Sequence, residues 1–255
     1  MRILVCLKPV TGGTPRVRPS EDGTRLLHEG GVVAVNEGDD YALEAALALK
    51  RSHGATVTAV SLGPLRAQDI LYTALAKGAD AAVRVDLDTP DALVTARVLA
   101  ATARRLGFEL LLTGVESTDR MTGAVGPYLA GLLDVPFAGA VRAIEAGNGE
   151  RVRVLKELGE GATVTLDIPL PALLSVQTGI HSLSYPALRR LLQLRRTPIP
   201  VWRPEQLGLG AEQLVGCLEY TAVEPIGQGR QAVLFQGSPQ EVARILVDRI
   251  VEVLP

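Results

Sequence analysis

The sequence predicts an α/β fold: a doubly wound, mostly parallel sheet followed by a C-terminal arm and helix. Three observations point to it. Short apolar runs alternate with amphipathic helical stretches four times in the first half of the chain. Those runs are continuous in hydrophobicity, as strands buried on both faces are. The hydrophobic content of 47% comes with only 4% aromatics, so the core is built from Ala, Val and Leu, which suits helices packed on a parallel sheet.

Taken in order, residues 3–7 form the first strand, stopped by Pro9. Residues 16–28 read as a hairpin turning at Asp22-Gly23. A helix over 39–50 follows, with Ala42, Ala45, Ala46 and Leu49 on one face, acids at its start and Gly54 past its end. Asn36 or Asp39 is its candidate capping residue. A strand over 56–62 closes at Gly63-Pro64, and a helix over 65–77 stops at Gly78. Residues 81–85 make a strand. Thr89-Pro90 then opens a helix to 106, with a hydroxyl cap and proline at its first position. A leucine-rich strand over 110–113 and a helix over 123–133 complete the run. Four strand–helix units in a row argue for parallel strands with helices on both faces.

The second half changes character. Strand-like pieces at 137–144, 151–158, 163–168 and 172–177 are separated by Gly and Pro turns, and a hairpin turn is signalled over 146–149. A short helix over 185–194 precedes an extended linker at 197–204, which carries three prolines around Trp202. A strand near 218–223 and a helix over 238–254 finish the chain. That helix has Ser238 as cap, Pro239 first, Glu241 in capping-box position, and one stripe of Val242, Ile245, Leu246, Ile250 and Val253. The expected division is therefore an α/β domain over 1–195 and a linker with amphipathic arm over 196–255.

Composition bounds the function. A net charge of −2 provides no basic field for nucleic acid or anionic membrane. No run approaches the roughly 20 apolar residues of a spanning helix, so no membrane insertion is expected. The two cysteines, Cys6 and Cys217, form neither a CxxC pair nor a zinc spacing, which points to a reducing cytoplasm. Cys6, inside an apolar strand, reads as a core thiol rather than a nucleophile. His28, His53 and His181 stand in no metal spacing, and neither a Gly-x-Ser-x-Gly elbow nor a distinctive carboxylate pair is present. Hydrolytic catalysis has no support.

Binding chemistry has more. Open α/β sheets bind ligands outside the carboxyl ends of their strands. Those ends supply Lys8-Pro9-Val10, Leu62-Gly63-Pro64, and a loop from Thr113 that runs through Asp119 into Thr122-Gly123-Ala124-Val125-Gly126-Pro127. Glycines and a threonine at a helix start offer free amides to a phosphate, although Gly123 and Gly126 equally suit a plain turn and close packing. Asn36 stands at a second strand end, where its amide suits either a helix cap or an adenine or ribose contact. Arg189, Arg190, Arg195 and Arg196 form one basic cluster, either a solvated face or a docking surface.

Three stretches together resemble the β subunits of the electron transfer flavoproteins. They are residues 3–10 with 36–47; residues 119–136, containing Ala124-Val125-Gly126-Pro127 and Leu132-Leu133-Asp134-Val135-Pro136; and residues 170–176 through Tyr185-Pro186-Ala187-Leu188 to Pro198-Ile199. Ser61-Leu62-Gly63-Pro64 and residues 73–80 add to the match, which covers nearly the whole chain in order. The resemblance implies a Rossmann-like fold of the adenine nucleotide α-hydrolase kind. It implies an electron carrier without catalytic residues of its own, a partner α subunit sharing FAD, and AMP in this chain, or a second FAD if the protein is electron-bifurcating.

Carried over by position, the cofactor-binding residues are Cys6, Asn36, Gly38, Asp39, Leu62, Asp119, Arg120, Met121, Thr122, Gly123, Ala124, Val125 and Gly126. Leu188 with Arg189 and Arg190 falls where the family docks acyl-CoA dehydrogenase-like flavoenzymes, and a quinone oxidoreductase is the implied acceptor. The chain departs from the family at Glu37-Gly38, where a proline-aromatic pair is usual, and at Gly12-Gly13, where some members hold an aromatic. The hairpin over 16–29 leans toward the bifurcating type. A stand-alone nucleotide sensor of the universal-stress kind shares the early element order but has no use for residues 170–204 or the tail. An ATP-using ligase or pyrophosphatase lacks a phosphate-loop lysine or acid–metal pair.

Overall fold

The computed structural model describes residues 1–13, 16–24, 26–89, 91–147, 149–218, 221–223 and 233–253. The elements run β1 (Arg2–Cys6), β2 (Pro9–Gly12), β3 (Arg16–Pro19), β4 (Leu26–Glu29), β5 (Val32–Val35), α1 (Glu37–His53) and β6 (Thr56–Leu62). A 3-10 turn (Leu65–Ala67) leads into α2 (Gln68–Lys77), then β7 (Ala81–Val85), α3 (Ala92–Leu106), β8 (Leu110–Gly114), α4 (Val125–Leu133), β9 (Phe137–Ala146), β10 (Arg151–Gly159), β11 (Ala162–Pro169) and β12 (Ala172–Val176). The remainder is α5 (Leu188–Leu194), β13 (Val201–Trp202), two 3-10 turns and α6 (Pro239–Val253).

Nine strands form one sheet in the order β11-β10-β9-β12-β8-β1-β6-β7-β13. From β9 to β13 every neighbouring pair is parallel, and only β10 runs against its neighbours. This is the doubly wound α/β fold the sequence predicts. β8 and β12 are buried along their whole length, which explains why neither carries a charged residue. Ile3, Val5, Leu110, Leu112 and Leu174 feed the core under α1 and α2; Leu4, Leu111 and Leu173 feed the core under α3 and α4. The alternation of consecutive residues between the two clusters is the two-residue period of a strand covered on both faces.

Several boundaries differ from expectation, each for a local reason. α1 begins at Glu37, two residues earlier than expected, with Asn36 as its N-cap residue. α3 is capped by Asp91, not Thr89: the Asp91 Oδ1 accepts from Leu93 N at 2.8 Å and Val94 N at 2.9 Å. Pro90 lies outside the described residues, as do Asn148 of the β9–β10 turn and residue 254 at the end of the expected last helix. Residues 219 and 220 of the strand expected over 218–223 also lie outside them; 218 and 221–223 carry no strand. α4 starts at Val125, because Gly123 takes a left-handed φ of 58° just before it. β2 and β5, not anticipated, pair antiparallel from Pro9↔Val35 to Gly12↔Val32. β3 and β4 form the expected hairpin sheet.

The chain divides into two compact units: residues 1–17 with 28–219, and residues 18–27 with 220–255. The stretch after 196, read from sequence as linker, thus belongs to the first unit up to 219. Ile199, Leu207, Leu209 and Leu214 supply its packing. A strap from β13 onward runs back along α3. The Arg105 guanidinium stacks 4.3 Å over the Trp202 ring and donates to Gln206 O at 2.8 Å. Arg97 donates to Gln213 O at 3.1 Å, and Asp91 Oδ2 accepts from Cys217 N at 2.8 Å. Asp91 therefore serves two masters, capping α3 with one oxygen and fastening the end of the strap with the other. Burial raises the Asp91 carboxyl, but the amides of Val94, Cys217, Leu218 and Leu93 outweigh that and hold it below its usual range. Asp91→Ala is expected to cost about 2 kcal/mol, a lost cap plus orphaned amides. Urea denaturation measures the loss, and hydrogen exchange is expected to speed at Cys217 and Leu218; unchanged exchange there would disprove the clasp.

In the second unit, α6 carries the predicted capping box: Ser238 N donates to Glu241 Oε2 at 2.8 Å, and Glu241 N donates back to Ser238 Oγ at 3.4 Å. Its Ile245, Leu246 and Ile250 are exposed.

Candidate functional site

From β1 the chain moves through β6 and β7 to one side, then returns so that β8 lies on the other side of β1. The carboxyl ends of β1 and β8 thus flank the topological switch point, where a crevice opens in such sheets. Everything that follows is built on that pair of strand ends.

Asp39 spans them. Its Oδ2 accepts from Lys8 N, just past β1, at 2.8 Å, and its Oδ1 accepts from Gly114 N, the last residue of β8, at 2.8 Å. One carboxylate in the first turn of α1 therefore staples both strand ends and fixes α1 over them. The residue is 7% exposed. Burial pushes its carboxyl up to about 6, against the opposing pull of the Lys8 and Gly114 amides, the Asn36 side chain and the Lys8 charge. Burial, with the Asp39 charge second, pushes the half-buried Cys6 thiol above its ordinary range, and a protonated thiol is a poor nucleophile.

Asn36 holds the loop that follows β8. It is buried, its Nδ2 donates to Glu116 O at 2.9 Å, and its Oδ1 accepts from Thr118 N at 3.1 Å. It is the N-cap residue of α1 by position but makes no side-chain cap hydrogen bond; the amide is spent on the loop instead. Beyond it the Lys8 ammonium donates to Ser117 Oγ at 2.9 Å and to Asp119 Oδ1 at 2.5 Å. Burial raises the Asp119 carboxyl, and the Lys8 and Ser117 hydrogen bonds more than reverse this, so it sits below the usual range.

Glycines let backbone come close here. A Cβ on Gly114 would lie 2.6 Å from Gly38 C and 2.8 Å from Asp39 N. One on Gly126 would meet Ser175 Oγ at 2.7 Å, beside the buried Thr113–Ser175 hydroxyl pair at 3.0 Å. α1 and α4 therefore both start against strand ends. The first-turn amides of a helix have no intrahelical acceptor and favour an anion. With Asp119 as an acceptor for sugar hydroxyls, these amides could hold a nucleotide. Among the described residues no three His, Cys, Asp or Glu gather as a metal site.

The structure thus brings Asn36, Gly38, Asp39 and Asp119 together and places Cys6 beside Asp39. Met121 continues the loop with a left-handed φ of 52° and is exposed. Arg120 and Thr122 are exposed, while Gly123, Ala124 and Val125 are half-buried on the way into α4. Leu62 ends β6 one strand away from β1 and packs with Val85, Val98 and Leu209. Lys8, Ser117 and Gly114 join the site only in the fold, although Lys8, a cation directly after a buried strand, is a readable signal in the sequence.

Leu188, Arg189 and Arg190 stand apart from the crevice, at the start of α5. Leu188 and its neighbours Tyr185 and Leu192 are exposed. The segment is nevertheless anchored: Leu191 and Leu194 pack on the core, Arg195 pairs with Asp69 at 3.0 Å, and the buried Glu44 accepts from Ser184 N at 3.0 Å and from Lys77 at 3.2 Å.

Comparison with known proteins adds to this geometry. The profile of the electron transfer flavoprotein domain matches residues 25–203. The electron transfer flavoprotein subunit beta of Bacillus subtilis (strain 168) is 32% identical over 227 residues, 88% of each chain. That of Methylophilus methylotrophus is 30% identical over 260 residues, 99% of this chain and 98% of the relative. That of Clostridium acetobutylicum is 30% identical over 217 residues, 84% of this chain and 83% of the relative.

Proposed function

The chain belongs to the electron transfer flavoprotein family, in the company of its β subunits, and from that premise we propose that it is the nucleotide-holding half of a heterodimer. In this reading an α subunit carries the redox FAD. The pair moves electrons from acyl-CoA dehydrogenase-like flavoenzymes toward a quinone oxidoreductase and the respiratory chain. This chain holds AMP, or a second FAD if the protein is bifurcating. No catalytic residue is assigned: the flavin supplies the redox chemistry, and this chain binds and positions.

The observation that carries the proposal is the crevice at the switch point, where Asp39 staples the ends of β1 and β8 and Asn36 fixes the loop to Asp119. The exposed Tyr185, Leu188 and Leu192, flanked by arginines on an anchored segment, support a docking role for α5; an apolar anchor ringed by charge is the usual form of an interface hot spot. The exposed apolar stripe of α6 supports a role for the arm in binding the partner subunit. The two free thiols agree with a reducing compartment, and no helix among the described residues is long and apolar enough to cross a membrane.

Coexpression with the α subunit is expected to yield a stable yellow heterodimer. Denaturing it identifies the nucleotide: one FAD with AMP marks an ordinary carrier, two FAD a bifurcating one. A colourless chain that stays monomeric beside its α partner would refute the reading. Asp119→Ala is expected to leave the purified heterodimer depleted in the nucleotide of this chain, measured by chromatography of the released cofactors; full occupancy would show that the site lies elsewhere.

A further inference from the structure

We propose that Lys8 is the phosphate-binding cation of this crevice and that Asp119 and Ser117 act as its positioning residues. The inference rests on the nucleotide reading above and goes beyond it, because neither composition nor motif assigned Lys8 a role.

Three observations carry it. First, the backbone of Lys8 is fixed at the switch point from both directions: its amide donates to Asp39 Oδ2 at 2.8 Å, and its carbonyl accepts from Asn36 N at 2.9 Å. Its Cα position is thus set by the same staple that joins β1 to α1. Second, the side chain is not left to wander. Two of its contacts, Ser117 Oγ at 2.9 Å and Asp119 Oδ1 at 2.5 Å, lie on the loop that leads into α4. Third, an ammonium has three donors, and among the described residues these two acceptors are the only partners of the Lys8 ammonium. The side chain is 38% exposed, so the third N–H is within reach of a ligand.

The charge balance explains why a lysine is needed. A nucleotide monophosphate brings close to two negative charges at neutral pH. The loop holds Asp119 beside Arg120, and Glu37 and Asp39 stand in the first turn of α1, where Asp40 is already answered by Lys77 at 2.6 Å. Helix-start amides contribute only partial charge. Without Lys8, a phosphate entering here would meet the Asp119 charge that the 2.5 Å Lys8 contact otherwise answers. With Lys8 pinned between Asp119 and the ligand, carboxylate, ammonium and phosphate alternate in sign. Asp119 then orients the ammonium, and its own charge is already answered before the ligand arrives.

The test uses the full-length chain, purified with its partner subunit, freed of nucleotide and titrated by calorimetry with AMP and with adenosine, which lacks the phosphate. Lys8→Met is expected to weaken AMP by roughly 10- to 100-fold, the loss of one charge-assisted hydrogen bond, and to leave adenosine affinity unchanged. Asp119→Asn, which keeps an acceptor for the ammonium, is expected to retain AMP binding within a few-fold. The double variant Lys8→Met, Asp119→Asn removes the local repulsion and is expected to stay weak; recovery of AMP affinity there would mean that Lys8 merely masks Asp119, and would overturn the proposal. Unchanged AMP affinity in Lys8→Met, or an equal loss for adenosine, would overturn it as well. Failure of the parent protein to bind AMP, adenosine or added FAD would instead sink the nucleotide reading, and the proposal with it.

Discussion

Gly114→Ala is expected to lower stability by about 3 kcal/mol and to empty the crevice. Overpacking a filled interior costs roughly 1–3 kcal/mol when neighbours can shift, and here they cannot. The new methyl would sit 2.6 Å from Gly38 C, 2.8 Å from Asp39 N and 2.8 Å from Asp39 Oδ1. Two of those atoms are backbone of the first turn of α1, and the third belongs to a carboxylate already held by two amides. Relief requires lifting α1 away from β8, which breaks the bond from Gly114 N to Asp39 and unseats Asn36 from the loop. At roughly 2–4 °C per kcal/mol for a chain of this size, the melting temperature drops by about 10 °C. Gly131→Ala is the control: it lies within α4 with no atom within 4 Å of the added Cβ, and is expected to gain about 0.5–1 kcal/mol. If both variants melt alongside the parent, the close approach of α1 to β8 is not what holds the crevice.

The contrast between these glycines shows what a sequence discloses and what it withholds. The parallel core was legible because β1, β6, β7 and β8 are short apolar runs between helical periodicities, a pattern visible in a local window. The capping box of Ser238 and Glu241 was legible for the same reason. The strap over 201–218 was not, since three prolines around Trp202 read as linker while the partners that bind it, Arg105, Arg97 and Asp91, lie about a hundred residues away on α3. β12 reads as one more strand after a hairpin, yet it inserts between β9 and β8; only the tertiary pairing Ala172↔Leu110 places it there.

The site divides along the same line. The glycines and strand ends were visible as types, and the family resemblance supplied positions. The chemistry depends on bonds that span 31 residues from Asp39 to Lys8, 75 from Asp39 to Gly114 and 111 from Lys8 to Asp119. Asn36 illustrates the cost of local reasoning: its place before α1 fits a cap, and the fold instead commits its amide to residues 116 and 118.

Asp39→Asn is expected to change the pH dependence of stability more than any other conservative substitution in the crevice. Burial raises the Asp39 carboxyl from 3.8 to about 6, with the Cys6 thiol and the Lys8 ammonium as the charged or titratable groups beside it. The native state therefore holds the proton more tightly than the unfolded chain. Stability linked to this group is fully present below about pH 4 and is lost as pH rises through 6. At 1.36 kcal/mol per unit, the loss amounts to about 3 kcal/mol. The downshifted carboxyls of Glu44, Asp80, Asp91 and Asp119 act in the opposite direction, gaining stability over the acid range as pH rises. The absolute stability curve mixes the two, and the difference between parent and variant isolates Asp39. Near pH 4 the protonated carboxyl and the asparagine amide are both neutral, each with one acceptor for two backbone donors, so parent and variant should have similar stability. By pH 7 the parent bears a buried charge and the variant does not. The gap is expected to move about 3 kcal/mol in favour of Asp39→Asn, read from urea denaturation at the two pH values. A gap that stays constant would mean that Asp39 is ionised throughout and that its two amides outweigh its burial. The staple would then stabilise the fold outright. If the gap does move, the charge is retained at a cost to the fold, and the two strand ends it joins are where that cost has its use.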